Sequence, residues 1–411
     1  MYSPFQNFLY VFSFIVLDDS IITISQKAVS KSSNSCDSGK ELQIILYNIT
    51  INACVFNSKF EEALDERKRS DFLVTLVENF TINNLKLGDQ KDLHLLYGKI
   101  HDISPKINEV NGRQKKLFEG SWLNGFFYNS NFYGNIYLSN GRIIFVSPEE
   151  ITSGFNHRRY VSWNSYFLQK YNKDFEKFEK VCNIAVMVDA SFVKNLKYVD
   201  LVILNIMWMI TEVNQIIRIS LPFLKIRIST FTIIKDSFGS PFLYPNNTID
   251  EVDPDELLRR FSLYDLSDYC LGILFSARTF KKNQIMGFSW KGKGSPTGMG
   301  GICQKRLKYS KDGVGYSFNT LFITTRRRED PKCLNLRMTI LNLGHEILHS
   351  FGAEHDTPGC SPEDEEINGS YLMSPYTSTG KSSNNELLSS CSISAVRKFI
   401  SSKNGCLKIL K

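Results

Sequence analysis

The chain has 411 residues, of which 42% are apolar and 22% charged, and a formal net charge of +7. That length calls for two domains rather than one core, and the ordinary composition excludes a fibrous or intrinsically disordered chain. The densest basic runs, Arg67-Lys68-Arg69 and Arg326-Arg327-Arg328, are short and accompany no nucleic-acid-binding module, so they are assigned to solvated loops and no nucleic-acid partner is expected.

In chain order, Phe8 to Leu17 form an apolar run of the length of a secretory leader's core, too short to span a bilayer. Residues 1–19 are read as that leader, although no basic residue precedes Lys27. Residues 20–40 are rich in Ser and Lys and are expected to be flexible. Residues 41–170 read as β-rich. "DLHLLYGKI" and "GSWLNGFFY" have strand texture, and "FYGNIYLSNGRIIFVSP" alternates around Asn140-Gly141, a tight hairpin dipeptide. The polar stretch "KYNKDFEKFEK" places a linker at 171–181.

From 182 to 411 strands alternate with helices, which predicts an α/β domain. "CNIAVMVD" reads as a buried strand and residues 196–218 as a long helix with a broad apolar face. Its apolar segment Leu201–Ile210 contains Asn205 and is flanked by Asp200 and Glu212, so it is assigned to the core rather than to a membrane. "LKIRISTFTII" is a strand, "DPDELLRRFSLYDL" a short Asp-capped helix, and "YCLGILFSA" a buried strand. The short strand "IMGFSW" then precedes the Gly-rich loop "KGKGSPTGMGG", and "NTLFITT" follows as another strand. Leu336, Ile340, Leu343, Ile347 and Phe351 recur at helical spacing, and "SISAVRKFISSK" forms a last helix. No membrane-spanning segment is expected. Nine cysteines, seven of them from Cys182 onward, and sequons at Asn48, Asn79, Asn246 and Asn368 point to the secretory pathway.

Three of the six histidines fall within "HEILHSFGAEHD". On a helix, His345 and His349 stand one turn apart on one face, roughly 6 Å from each other, close enough to share one ion. Zinc accepts imidazole nitrogen and tolerates three protein ligands plus water. Glu346 lies beside them, placed to take a proton from that water. Gly352 permits the reversal that brings His355 back as third ligand. The extended spacing H-E-x-x-H-x-x-G-x-x-H, with Met373 farther on, is far more specific than H-E-x-x-H alone. One Zn²⁺ per chain is expected. A purely structural zinc site would fill the fourth position with Cys or His.

These residues resemble the metzincin zinc peptidases. Asp356 after the third histidine resembles the ADAM (adamalysin) branch, nearest its Kuzbanian-type subgroup. The likeness runs through "DYCLGILFSARTF", "GFSWKGKGSPTGMGGICQKRLKYSKDG", "GHEILHSFGAEHD", "NGSYLMSPYTSTG" and "NNELLSSCSISAVRKFISSKNGC", in family order. A weaker likeness to the family's prodomain covers about residues 40–170. The resemblance implies an α/β metzincin domain, a twisted mixed sheet plus helices, preceded by a β-rich prodomain. It also implies a zinc endopeptidase of the ectodomain-shedding type, acting on extracellular or membrane-protein substrates, with Glu346 as general base and then acid. Met373 would floor the metal and Asp356 would anchor its loop. Gly287, Phe288, Ser289 and Trp290 would pair with an extended substrate. Tyr376, Thr377 and Ser378 would line the pocket for the residue after the cut bond. The disulfides implied are Cys182–Cys270, Cys303–Cys406 and Cys360–Cys391; Cys36 and Cys54 could pair with each other, and Cys333 is left over.

The chain departs from that pattern in three ways. Leu348 stands where the family usually has glycine. No cysteine lies between Cys54 and Cys182 to act as a prodomain thiol, and no strong basic cleavage site precedes Cys182. The prodomain is therefore expected to inhibit by occupying the cleft without a thiol. The sequence ends just after the domain, which fits a secreted short form or a truncated product of a cell-surface protein. The alternative to an active enzyme is a catalytically impaired protein that keeps the fold for binding, as a decoy.

Overall fold

The computed structural model describes residues 27–31, 40–46, 49–57, 96–105, 122–128, 131–137, 142–146 and 151–155, and, farther on, 179–196, 199–234, 252–280, 285–293, 300–308, 313–326, 336–376, 378, 380, 382–403 and 406–410. The leader at 1–19, Asn48, Asn79, Asn246, Thr377, Cys36 and Cys333 lie outside the described residues. Of the described residues, those from 27 to 155, with 382 and 383, fall in one unit and the others in a second.

The described part of the N-terminal unit is one antiparallel sheet whose eight strands follow chain order. They are β1 (Lys27–Lys31), β2 (Lys40–Leu46), β3 (Ile49–Asn57), β4 (Leu96–Pro105), β5 (Trp122–Tyr128), β6 (Asn131–Tyr137), β7 (Arg142–Val146) and β8 (Ile151–Phe155). Within it Phe126 stacks on Tyr133 with ring centroids 4.9 Å apart. β6 and β7 pair antiparallel from Tyr137 and Ile143 outward, as the Asn140-Gly141 signal predicts. β1 corrects the flexible reading of 20–40. "KAVSK" carries little apolar surface, and its pairing with β2 supplies what its composition does not.

The C-terminal unit is built on β9 (Glu179–Val188), β10 (Leu224–Ile233), β11 (Leu271–Ser276), β12 (Gly287–Ser289) and β15 (Thr320–Thr324), in the order β10-β9-β11-β15-β12. β10, β9, β11 and β15 run parallel, and β12 closes the edge antiparallel to β15. β13 (Leu307–Lys308) and β14 (Gly315–Tyr316) form a separate hairpin, and β16 (Lys408–Leu410) pairs with the start of β9. β9 thus starts at Glu179, inside the span read as linker, because Lys180 and Val181 gain strand partners on both sides.

Among the described residues six α-helices accompany the sheet, and different ones cover its two faces. These are α1 (Ala190–Leu196), α2 (Val199–Ser220), α3 (Pro254–Phe261), α4 (Leu336–Ser350), α5 (Glu365–Asn368) and α6 (Ser390–Ser402). Ala185, Met187, Leu274 and Phe322 meet Leu257, Leu258 and Phe261 of α3. The alternate residues Ile184, Val186, Ile273 and Phe275 are equally buried on the other face, where Phe275 meets Phe192 of α1. Residues 201–210 of α2 are buried on every side, so its all-round hydrophobicity marks a core helix. α2 is the one described helix long and apolar enough to cross a membrane, and 78% of that window is buried inside the unit. Asn205 is accommodated by donating to the Leu201 carbonyl at 2.7 Å.

At the ends of β9 and β11, Asp189 accepts from Ser191, Ser276 and the Phe192 amide and pairs with Arg278. This caps α1 and ties two neighbouring strands together, with both charges buried and compensated.

Candidate active site

The site is built around α4. Ile340, Leu343 and Ile347 are fully buried, and that apolar stripe fixes the helix's rotation. Its last carbonyls are not left orphaned: His349 O accepts from Gly292 N and Gly352 N, and Ser350 O from Ile302 N. Gly352 has φ +87°, and Ala353 N reaches back to Leu348 O at 2.9 Å, the left-handed glycine termination that reverses the chain. Leu348 itself is completely buried, so the bulk that departs from the family glycine is absorbed by the core.

The reversal brings His355 beside His345 and His349. Ring centroids of the three pairs lie 4.6, 5.2 and 4.7 Å apart. His345 Nδ1 meets Leu372 O at 2.8 Å and His349 Nδ1 meets Ala353 O at 2.8 Å. A carbonyl only accepts, so each Nδ1 carries the hydrogen and each Nε2 presents a lone pair. Nε2 of His345 faces Nε2 of His355 at 3.2 Å. At that distance the His345 lone pair can accept a hydrogen from His355 or share a cation with it. In a tetrahedral zinc site with bonds of about 2.0–2.1 Å, ligand nitrogens stand roughly 3.3 Å apart. Burial holds all three imidazoles below their ordinary pKa, His349 to about 3, with the neighbouring His345 acting in the same direction on His349 and His355. All three are therefore neutral at pH 7, the protonation state a metal requires. The donor set fits one zinc ion.

Glu346, between the two helical histidines, is buried, which pushes its carboxyl up to about 7. Its Oε2 accepts from Ser289 Oγ at 2.7 Å, a bond acting in the opposite direction. Gly287 explains how β12 comes so close. A Cβ there would lie 2.6 Å from Glu346 Cγ and 2.8 Å from Asn342 Nδ2. Among the described residues β12 pairs with β15 alone, so its outer edge offers backbone donors and acceptors to an added strand. Phe288 and Trp290 pack toward the α3 core, which anchors the strand from behind.

Residues 199–402 match the model of the metallopeptidase family M12B, reprolysin-like. This domain is an ADAM-type metzincin. The disintegrin and metalloproteinase domain-containing protein 10 of Bos taurus is 30% identical over 278 residues, covering 63% of this chain and 35% of that protein. Its Homo sapiens counterpart is 33% identical over 207 residues, covering 48% and 26%. The disintegrin and metalloproteinase domain-containing protein 17 homolog of Caenorhabditis elegans is 32% identical over 162 residues, covering 36% and 23%. The chain thus spans about a third or less of the length of these relatives.

The metzincin turn at Met373 is tied to the site through backbone. Leu372 O holds His345, and Met373 O accepts from Asp356 N at 2.8 Å. Met373 is fully buried. Asp356 Oδ1 accepts from Ser389 Oγ at 2.5 Å and Ser392 Oγ at 2.9 Å, joining the third histidine's loop to the cap of α6. The Cys360–Cys391 disulfide closes the same junction. Cys182–Cys270 links β9 to the residue before β11, and Cys303–Cys406 is the third bridge among the described residues. After the turn, Tyr376 is 81% exposed, and Ser378 Oγ accepts from Gly380 N at 3.0 Å. Asn368 ends α5, its side-chain amide donating to Asp364.

Three features of this metzincin site escape a reading of the motif. Lys291, just after β12, forms an ion pair with Glu354, the neighbour of His355, on the rim of the histidine cluster. Ser389 and Ser392 hold Asp356 from more than thirty positions away. Ser289 bonds the carboxylate of Glu346 across 57 positions. Such separations leave no local pattern to detect.

Proposed function

We propose that the chain is a zinc-dependent endopeptidase that cuts extracellular or cell-surface proteins. The observation that carries this is the convergence of three neutral imidazoles beside a buried carboxylate, under the open edge of β12. His345, His349 and His355 would hold the ion. When bound, zinc supplies Lewis acidity that polarises the scissile carbonyl and acidifies water.

The residues of the chain do the rest. An extended peptide adds to β12 along Gly287, Phe288, Ser289 and Trp290, which places its carbonyl over the histidines. Glu346 accepts a proton from the attacking water and delivers it to the leaving amine, so the carboxylate is regenerated in each turnover. Met373 seals the floor with apolar surface, Gly352 and Asp356 hold the loop of His355, and Tyr376 and Ser378 border the pocket for the residue after the cut bond.

Three disulfides favour an oxidising compartment, so secretion through the leader at 1–19 with glycans on Asn48, Asn79, Asn246 and Asn368 belongs to the same reading. The N-terminal β-rich region acts as the chain's own inhibitor.

The test is cleavage of a quenched generic peptide by the full chain, before and after limited trypsin nicking, with zinc content measured in parallel. One zinc per chain, chelator-sensitive cleavage that increases on nicking, and its loss in Glu346→Ala are expected. Stoichiometric zinc without cleavage in either form would replace the enzyme with a binding or decoy protein.

A further inference from the structure

β12 presents alternate residues to α4, because side chains two apart on a strand share a face. Gly287 and Ser289 are those residues. The first has no side chain and lets the helix approach until Glu346 Cγ would touch a Cβ. The second reaches the carboxylate, Oγ to Oε2, at 2.7 Å. Phe288, between them, points into the opposite core. The two observations are independent and name the same neighbour.

No other hydrogen bond to the Glu346 side chain is present among the described residues. A glutamate has three side-chain torsions, and burial alone does not choose which oxygen faces the histidines. The Ser289 hydroxyl does choose, since it occupies Oε2 and leaves Oε1 for the reacting water. β12 is itself held by its register with β15, Gly287 to Ile323 and Ser289 to Leu321. The hydroxyl is therefore presented from a fixed frame.

We propose that Ser289 is a positioning residue for the hydrolytic reaction: its hydroxyl clamps Oε2 of Glu346, so that Oε1 alone carries the proton from water to the leaving amine. This rests on the endopeptidase reading above. Ser289 keeps its own hydrogen throughout and exchanges nothing with substrate. Because the same strand docks the peptide, the base is oriented by the element that aligns the bond to be cut.

The experiment uses the full chain, trypsin-nicked for kinetics, with Ser289→Ala, Ser289→Thr and Glu346→Ala. In Ser289→Ala, kcat should fall on the order of tenfold or more while KM stays within about twofold, because an ångström-scale misplacement of a catalytic group costs rate rather than docking. Ser289→Thr restores the hydroxyl and should recover most of kcat. A second readout needs neither activity nor metal. In chelator-treated protein, Ser289→Ala should lower the melting temperature in the parent background and leave it unchanged in the Glu346→Ala background. An unchanged kcat, a loss confined to KM, a threonine no better than alanine, or the same melting shift in both backgrounds would each overturn the clamp. Absence of chelator-sensitive cleavage in the parent instead removes the endopeptidase reading, and the positioning role with it.

Discussion

Replacing Gly352 with alanine tests whether the turn after α4 assembles the site. Gly352 has φ +87°, a conformation that costs an L-residue about 1–2 kcal/mol. The added Cβ would also lie 2.8 Å from both Cβ and Cγ of Phe399 on α6, a residue 2% exposed and without room to withdraw. Overpacking of that kind costs about 1–3 kcal/mol. The two effects sum to about 2–5 kcal/mol, which for a unit of this size lowers the melting temperature by roughly 5–15 °C. Part of the strain can be relieved by letting the turn open, which moves His355 away, so zinc affinity should fall as well. Thermal unfolding with and without chelator, and competition with a chromophoric zinc indicator, measure both effects. Gly359→Ala is the matched control, since its Cβ would meet nothing within 4 Å, and should change stability by less than about 0.5 kcal/mol. If Gly352→Ala melts within 2 °C of the parent, within error of Gly359→Ala, and binds zinc unchanged, the turn is not what holds the third histidine.

Two further predictions concern charge. Arg337 and Glu386 pair with only 3% and 1% of their side chains exposed, so Glu386→Gln or Arg337→Met alone should cost about 3–5 kcal/mol in denaturant unfolding, while the double variant Arg337→Met/Glu386→Leu recovers most of it; singles no worse than the double would contradict a buried pair. In chelator-treated protein the lowered histidines and the raised glutamate act oppositely on stability. Unfolded histidines take up protons below about pH 6.5 while His349 stays neutral down to about 3, so their contribution falls with falling pH. Folded Glu346, with a carboxyl near 7, binds a proton that the unfolded chain does not hold until about pH 4.5, so its contribution rises with falling pH between those values. Glu346→Gln removes that opposing effect, and acid loss of stability between pH 7 and 4.5 should steepen by up to about 1.4 kcal/mol per pH unit. An identical pH profile in the variant would show that the carboxylate is not desolvated.

The chemistry of this chain is written in local spacing. One helical turn sets His345 against His349, Gly352 allows the reversal, and His355 returns three residues later, so the convergence of the three imidazoles was legible without coordinates. The same holds for the long apolar run of α2, the Asp253 cap of α3 and the apolar stripe of α4, which are short-range signals, and for the buried strands β9 to β11. β1 was not legible, because "KAVSK" carries no alternating apolar face and is a strand only through its pairing with β2. β16 is likewise held by the start of β9.

At the site the division has the same physical cause. Residue types and their periodicity specify which groups are available, since bond lengths and helix pitch are the same in every chain. Which hydroxyl meets which carboxylate depends on how separate elements dock. Gly287 shows this most plainly: in the sequence it is one of 25 glycines, and only the approach of α4 to β12 makes it the position where no side chain fits and Ser289 the one that reaches Glu346.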